Sequence, residues 1–110
     1  MGRPMIRGIR NTAEVTRKLN PQIESRTVDG TPILIRTLVV RFERHKGKGW
    51  SWTELKASAA LPKTRSDEWR EDYYYYEANQ IVLNDQIQQQ IQDMNDLITK
   101  QSARYACTVA

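Results

Sequence analysis

The stretch GWSWTELKASAALPKT, residues 49–64, decides how this chain is read. Thr53, Glu54 and Leu55 open a short helical pattern that closes at Ala59, Ala60, Leu61 and Pro62. Ser51 suits the capping position before it, because its hydroxyl can accept from an orphan amide of the first turn. Leu55, Ala59 and Leu61 then share a core-facing side, and Pro62 sets a turn between crossed helices. A second helix can begin at once from Thr64 or Ser66. Trp50 and Trp52, by contrast, alternate in strand fashion around Ser51.

Downstream the pattern looks helical for longer. Residues 66–104 contain neither Pro nor Gly, and Trp69, Tyr73, Tyr76, Leu83, Ile87, Ile91, Met94, Ile98 and Tyr105 step mostly by three or four. A continuous helix over that span would run for roughly 58 Å at about 1.5 Å per residue. So long a helix implies a break near residues 79–84, or a partner helix from a second chain. The isoleucines of residues 86–92 stay in phase. Leu83, Ile87, Ile91, Met94 and Ile98 are therefore expected to form a dimer or partner seam.

Upstream, residues 1–10 read as a basic arm, and residues 12–19 as a short helix capped by Asn11 and ended by Pro21. Residues 23–48 are ambiguous. Asp29-Gly30 is a strong hairpin signal, and the β-branched run over residues 33–42 favours a strand. Against this, Thr31-Pro32 is a good helix start, Ile35, Leu38, Val39 and Phe42 share a helical face, and Gly47 suits a helix stop. A strand here favours a protein-binding module; a helix favours a nucleic-acid regulator.

Charge is unevenly placed. Of 17 basic and 13 acidic residues, the first 65 carry a net +9 and the last 45 a net −5, summing to +4. That asymmetry suits a polyanionic partner for the front of the chain. The apolar runs fall far short of the roughly 20 residues that span a bilayer, so no membrane partner is expected. The N-terminus carries Arg3, Arg7 and Arg10 without an apolar stretch, so a secretory leader is not expected either. With a single cysteine, Cys107, no internal disulfide can form, and a cytoplasmic location is expected.

Over residues 36–70 the chain resembles the DNA-reading domain of winged helix-turn-helix transcriptional regulators of the isocitrate-lyase-regulator type. The matching residues are Gly49-Trp50-Ser51-Trp52-Thr53-Glu54-Leu55 and Ala60-Leu61-Pro62-Lys63-Thr64. The resemblance implies that Lys63, Thr64, Arg65 and Ser66 open a recognition helix. Several residues depart from that pattern. Lys56 stands where a small residue is preferred, Ala60 replaces a glycine, and Ser66 replaces an aliphatic. Asp67, Glu68, Glu71 and Asp72 would place negative charge on the reading helix, and no β-wing follows.

Other constellations are weaker. Residues 73–76 are four tyrosines; on a helix Tyr73 and Tyr76 face inward while Tyr74 or Tyr75 is exposed, as a stacking platform for bases or a hot spot for a protein. Trp50 and Trp52 beside Lys46 and Lys48 form a candidate aromatic–basic patch for single strands. Glu54-x-Lys56 with Asp29 echoes a metal-dependent nuclease only faintly, and His45 stands alone among cations. No catalytic residue, metal ligand or cofactor site is assigned.

Taken together, the residues predict a mainly α fold. Residues 1–10 form an arm, residues 11–80 a helix-turn-helix-like domain, and residues 81–110 a C-terminal amphipathic helix. The alternative is an α+β fold with a β-hairpin at residues 23–44 packed on helices. The expected function is that of a small, homodimeric regulatory or accessory protein of phage or plasmid type on double-stranded DNA. Arg36, Arg41, Arg44, Lys46, Lys48, Lys63, Thr64, Arg65 and Ser66 would contact the nucleic acid, with Tyr74 and Tyr75 at an interface. The alternative function is a small inhibitor or adaptor acting on a larger protein partner.

Overall fold

In the computed structural model, which describes residues 5–9, 11–64 and 68–104, the chain is a five-stranded antiparallel meander with one helix on one face. The strands are β1 (Met5–Ile9), β2 (Thr12–Arg26), β3 (Pro32–His45), β4 (Gly49–Ala60) and β5 (Tyr74–Glu77). They lie side by side in chain order. A 3-10 turn, Ala78–Gln80, leads to the helix α1 (Asp85–Arg104).

The mainly α expectation is thus overturned. The stretch that suggested two helices and a turn is a single strand, β4. Its polar and apolar residues alternate: Leu55, Ala57 and Ala59 are buried, whereas Glu54 and Lys56 are exposed. That is the two-residue period of a strand. Leu61 and Pro62 turn the chain into a narrow loop, where Arg70 N–H donates to Leu61 O (2.8 Å) and Lys63 N–H to Glu68 O (2.9 Å). Pro62 bridges Trp69 there, so no recognition helix follows the turn among the described residues.

Residues 12–19, expected as a helix, belong to β2, and residues 33–44 lie within β3. Asp29-Gly30 turns the chain between β2 and β3, with Gly30 at φ 96°. The Asp29 carboxylate accepts from the hydroxyl of Thr27 and from Thr31 Oγ1 (3.2 Å), which ties the turn together. Gly47 and Gly49, at φ 76° and 77°, close the tight β3–β4 hairpin, so Gly47 stops no helix.

One irregularity explains the helical look of β3. Ile35 pairs with Ala59 while Thr37 pairs with Ser58, so Arg36 is an extra residue opposite β4. Such a bulge places two inward side chains three positions apart instead of two. Ile35 and Leu38 are both fully buried at that spacing, which imitates an i, i+3 helical step.

The core lies between the sheet and α1. Ala13, Val15, Ile33, Ile35, Leu38, Val40, Phe42, Leu55 and Ala57 form its sheet side, and Ile87, Ile91, Met94 and Ile98 its helix side. Asn84 caps α1, its Oδ1 accepting from Ile87 N–H (3.0 Å) and its Nδ2 donating to Glu24 O (2.9 Å). Further along, Asn95 Nδ2 donates to Trp50 O (2.9 Å), holding the helix against β4. The proposed dimer seam is therefore corrected: Ile87, Ile91, Met94 and Ile98 are buried within one chain, with Leu83 packed partly against the same core. An amphipathic helix needs an apolar surface to cover, and this chain's own sheet supplies it.

Candidate functional site

With α1 covering one face, the other face of the sheet is open, and the pairing register fixes what it presents. Lys18, Thr37, Ser58 and Tyr75 form one row across β2, β3, β4 and β5, and Thr16, Val39, Lys56 and Glu77 form the next. Beyond these come Glu14, Arg41 and Glu54, then Thr12, Glu43 and Ser51. Directly paired residues share a face, so each row is a band of adjacent side chains.

Strand alternation also sorts the tyrosines. Tyr74 and Tyr76 pair with Ala59 and Ala57 and point to the helix side, where Tyr76 packs against the core. Tyr75 pairs with Ser58 and points to the open face, where it is 73% exposed. Tyr73 stands beside it, the two rings in an edge-to-face arrangement with centroids 5.8 Å apart. Of the two tyrosines expected at an interface, Tyr75 lies on the open face, while the Tyr74 hydroxyl reaches Asp72 Oδ2 (3.3 Å). The neighbouring Tyr73 hydroxyl raises the pKa of Tyr75 above the ordinary tyrosine value. Tyr75 therefore stays neutral throughout the physiological range.

These tyrosines form one wall of a groove of about 500 Å³, lined also by Lys18, Gln22, Arg36 and Lys56. Arg36 is the bulged residue of β3. Its Nη1 donates to Glu71 O (3.0 Å) and its Nη2 to Arg70 O (3.2 Å), while the guanidinium lies over the Tyr73 ring, 5.9 Å from its centroid. The result is an aromatic patch edged by three cations. Flat rings offer faces to other planar groups, and the cations offer charge to anions.

The remaining predicted contacts are scattered. Arg41 lies between two carboxylates of its row, 3.7 Å from Glu14 and 3.4 Å from Glu54. Arg44, Lys46 and Lys48 are at the exposed β3–β4 hairpin end, at least seven residues and so more than about 20 Å along the strand from Thr37. Lys63 pairs with Glu68 at 3.1 Å in the loop after β4, and Thr64 is exposed beside it. Arg65 and Ser66 lie outside the described residues, as do Arg3, Arg10 and Cys107. Among the described residues, Arg36 is the one predicted nucleic-acid contact that joins the groove, alongside the predicted interface residue Tyr75. Among the described residues the recognition-helix grouping is lost, because Lys63 and Thr64 sit in the loop after β4 and not at the start of a helix.

Trp50 and Trp52 face the helix side of β4 and border a separate depression with Leu83, Gln88 and Asn95. They are far from the groove and do not form a patch with it. Asp29 is at the β2–β3 turn, about 30 Å of strand from Glu54, so the two carboxylates cannot share a metal ion. No group of three His, Cys, Asp or Glu among the described residues is placed to hold a metal ion. Nor is any helix among them long and apolar enough to cross a membrane.

Sequence reasoning overlooked Lys18, Gln22, Lys56 and Tyr73 as site residues. The available signal was alternation: Glu54, Lys56 and Ser58 fall out of phase with Leu55, Ala57 and Ala59. Lys56, a defect in a packed helix pair, is an ordinary outward residue of a strand.

The fold and groove define an α+β protein with a meander sheet, one face sealed by a helix and one face open. Comparisons with protein-family models, with curated proteins and with solved structures found no match.

Proposed function

We propose that this chain is a small single-strand nucleic-acid-binding protein whose open sheet face carries the site. The observation that supports this most directly is Tyr75, largely exposed beside Tyr73 in a groove lined also by Lys18, Arg36 and Lys56. Stacking of a base on an aromatic ring contributes about 1–3 kcal/mol and is indifferent to sequence, while cations hold the phosphates. In a duplex the base faces are already stacked, so the patch suits unpaired bases. This replaces the duplex-reading helix with a sheet surface and retains the polyanionic partner that the charge asymmetry suggested. A cytoplasmic setting belongs to the same proposal.

The test is fluorescence anisotropy of a labelled oligothymidylate across a salt series. Three cations at about −0.7 each should give a log–log salt slope of about −2. Tyr75→Ala should weaken binding at least about fivefold, the loss of roughly 1 kcal/mol or more of stacking, and Tyr75→Phe should restore it. A flat titration at low salt would overturn the proposal.

A second function is favoured by one observation. Residues 33–42 are in a strand, the outcome that supports a protein-docking module, and the exposed tyrosines would then serve as its anchors. The same titration separates the two, because a protein-docking face gives no salt-dependent binding to single strands.

A further inference from the structure

The groove has a direction. Lys18 and Gln22 line its β2 side and Tyr75 its β5 side, with Thr37 and Val39 of β3 between them. Thr37 and Val39 are successive outward residues of one strand, so the groove follows the strands. Followed along β3, the open face leads to the β3–β4 hairpin tip. The register first sets Arg7, Glu14, Arg41 and Glu54 side by side, a row in which cations and carboxylates balance. Glu43 stands between Thr12 and Ser51 in the row beyond. His45 comes next, its Nε2 3.0 Å from Ser51 Oγ, and then the exposed Lys46 and Lys48.

The cations differ in what they already hold. Arg17, Arg41, Lys63 and Arg70 each pair with a carboxylate. Among the described residues Lys18 and Lys56 in the groove, and Lys46 and Lys48 at the tip, form no ion pair. A paired cation must release its carboxylate to hold a phosphate, and these four need release nothing. Unengaged positive charge on this face is thus concentrated at the groove and at the tip, with a nearly neutral stretch between. We infer that a single strand seated in the groove continues along β3 and β4 to the hairpin tip, where Lys46 and Lys48 hold its phosphates, so that the ligand is a run of roughly eight unpaired nucleotides. This rests on the single-strand reading above. From Thr37 to His45 is eight residues, or about 26 Å of strand, which holds about eight nucleotides at a stacked spacing of about 3.4 Å. That length falls within the roughly 4–16 nucleotides of known single-strand sites. Glu43 is one exposed carboxylate on this path against two lysines at its end, and salt screens it beyond about 10 Å.

The experiment compares oligothymidylates of about 4 and about 12 nucleotides across a salt series. The shorter probe, held by the groove alone, should give a slope of about −2, and the longer one about −3.5 through its two further contacts. Length by itself multiplies the overlapping positions without changing the slope. Lys46→Ala/Lys48→Ala should return the longer probe to a slope of about −2 and weaken it about tenfold at about 0.15 M salt, while the shorter probe is unchanged. Lys63→Ala, which removes a paired cation in the loop after β4, should leave both probes unchanged. Both hairpin lysines are exposed, and the circular dichroism spectrum checks that each variant is folded. Should the double variant not fold, Lys46→Ala alone should still weaken the longer probe about threefold. Equal slopes for the two probes, or a double variant that binds the longer one as wild type does, would overturn the path while leaving the groove as the site. An equal loss in Lys63→Ala would also overturn it, by showing diffuse attraction in place of a track. Failure of both probes to bind wild type at low salt would overturn the single-strand site itself.

Discussion

Arg36 lies across Tyr73, with its guanidinium carbon 5.9 Å from the ring centroid, and holds the backbone of Arg70 and Glu71 with its two terminal nitrogens. One bulged residue of β3 thereby connects the sheet, the loop after β4 and the aromatic patch. The bulge is what aims the side chain there, because an extra residue in one strand redirects its neighbours.

Replacing Arg36 should therefore affect both stability and binding. Arg36→Ala should lower stability by about 1 kcal/mol, allowing for the solvent around these hydrogen bonds, or about 4–8 °C in Tm for a domain of this size. It should weaken oligonucleotide binding by about tenfold through the lost charge and the released Tyr73. Arg36→Lys keeps the charge without the fork and should recover only part of either loss. Thermal melts and anisotropy on the same samples check this.

The helix provides a sharp test of where the apolar seam belongs. Ile87 and Ile91 are buried between α1 and the sheet, at 0% and 7% exposure. An aspartate at either position must remain charged in an apolar core or lose the helix contact. Ile87→Asp should abolish cooperative unfolding and the dispersed amide spectrum. A well-folded Ile87→Asp protein of smaller assembly size would restore the dimer seam and count against this packing.

Phe42 is fully buried in the middle of the core. Phe42→Ala should cost about 3–5 kcal/mol, because the rigid sheet around it can collapse only partly into the space. Phe42→Leu should cost much less. Denaturant midpoints at unchanged slope would give both values.

Gly30 takes φ 96° with open space where a Cβ would stand, so any cost of substitution there is conformational. Gly30→Ala should destabilise by about 1–2 kcal/mol. An asparagine, which tolerates positive φ, should recover part of that.

The same turn carries a pH dependence. The Thr27 hydroxyl, followed by the Thr31 amide and hydroxyl, lowers the Asp29 pKa below its ordinary value. A carboxylate held low in the fold stabilises above the unfolded value near 3.9 and loses that contribution as pH falls through the folded value. Stability should thus decline below about pH 4, and Asp29→Asn, which keeps the turn, should flatten that decline. Melting curves from pH 3 to pH 6, on the scale of ordinary carboxylate titration at about 4, measure it.

Legibility in the sequence followed how local each signal is. Asp29-Gly30 was readable because a hairpin turn requires positive φ within two residues. The in-phase isoleucines of α1 were readable because they too are a local pattern, whereas the helix expected before residue 79 is instead β5 and its approach. The short segment 53–61 was not, since Leu55, Ala59 and Leu61 fit a helix while Leu55, Ala57 and Ala59 fit a strand, and alanine decides for neither. The bulge at Arg36 disguised β3 in the same way. Its spacing depends on the register with β4, which no window within β3 contains.

By itself, then, the sequence determined the turn signal at Asp29-Gly30, the apolar repeat of the final helix and the basic front of the chain, all set by neighbouring residues and by composition. Tertiary structure alone decided that the helix seals this chain's own sheet, and that Tyr73 and Tyr75 line one groove with Lys18, Arg36 and Lys56. Those residues come from four strands and a loop up to 57 positions apart. Only the pairing register, chosen by burial of one whole face, can bring them together.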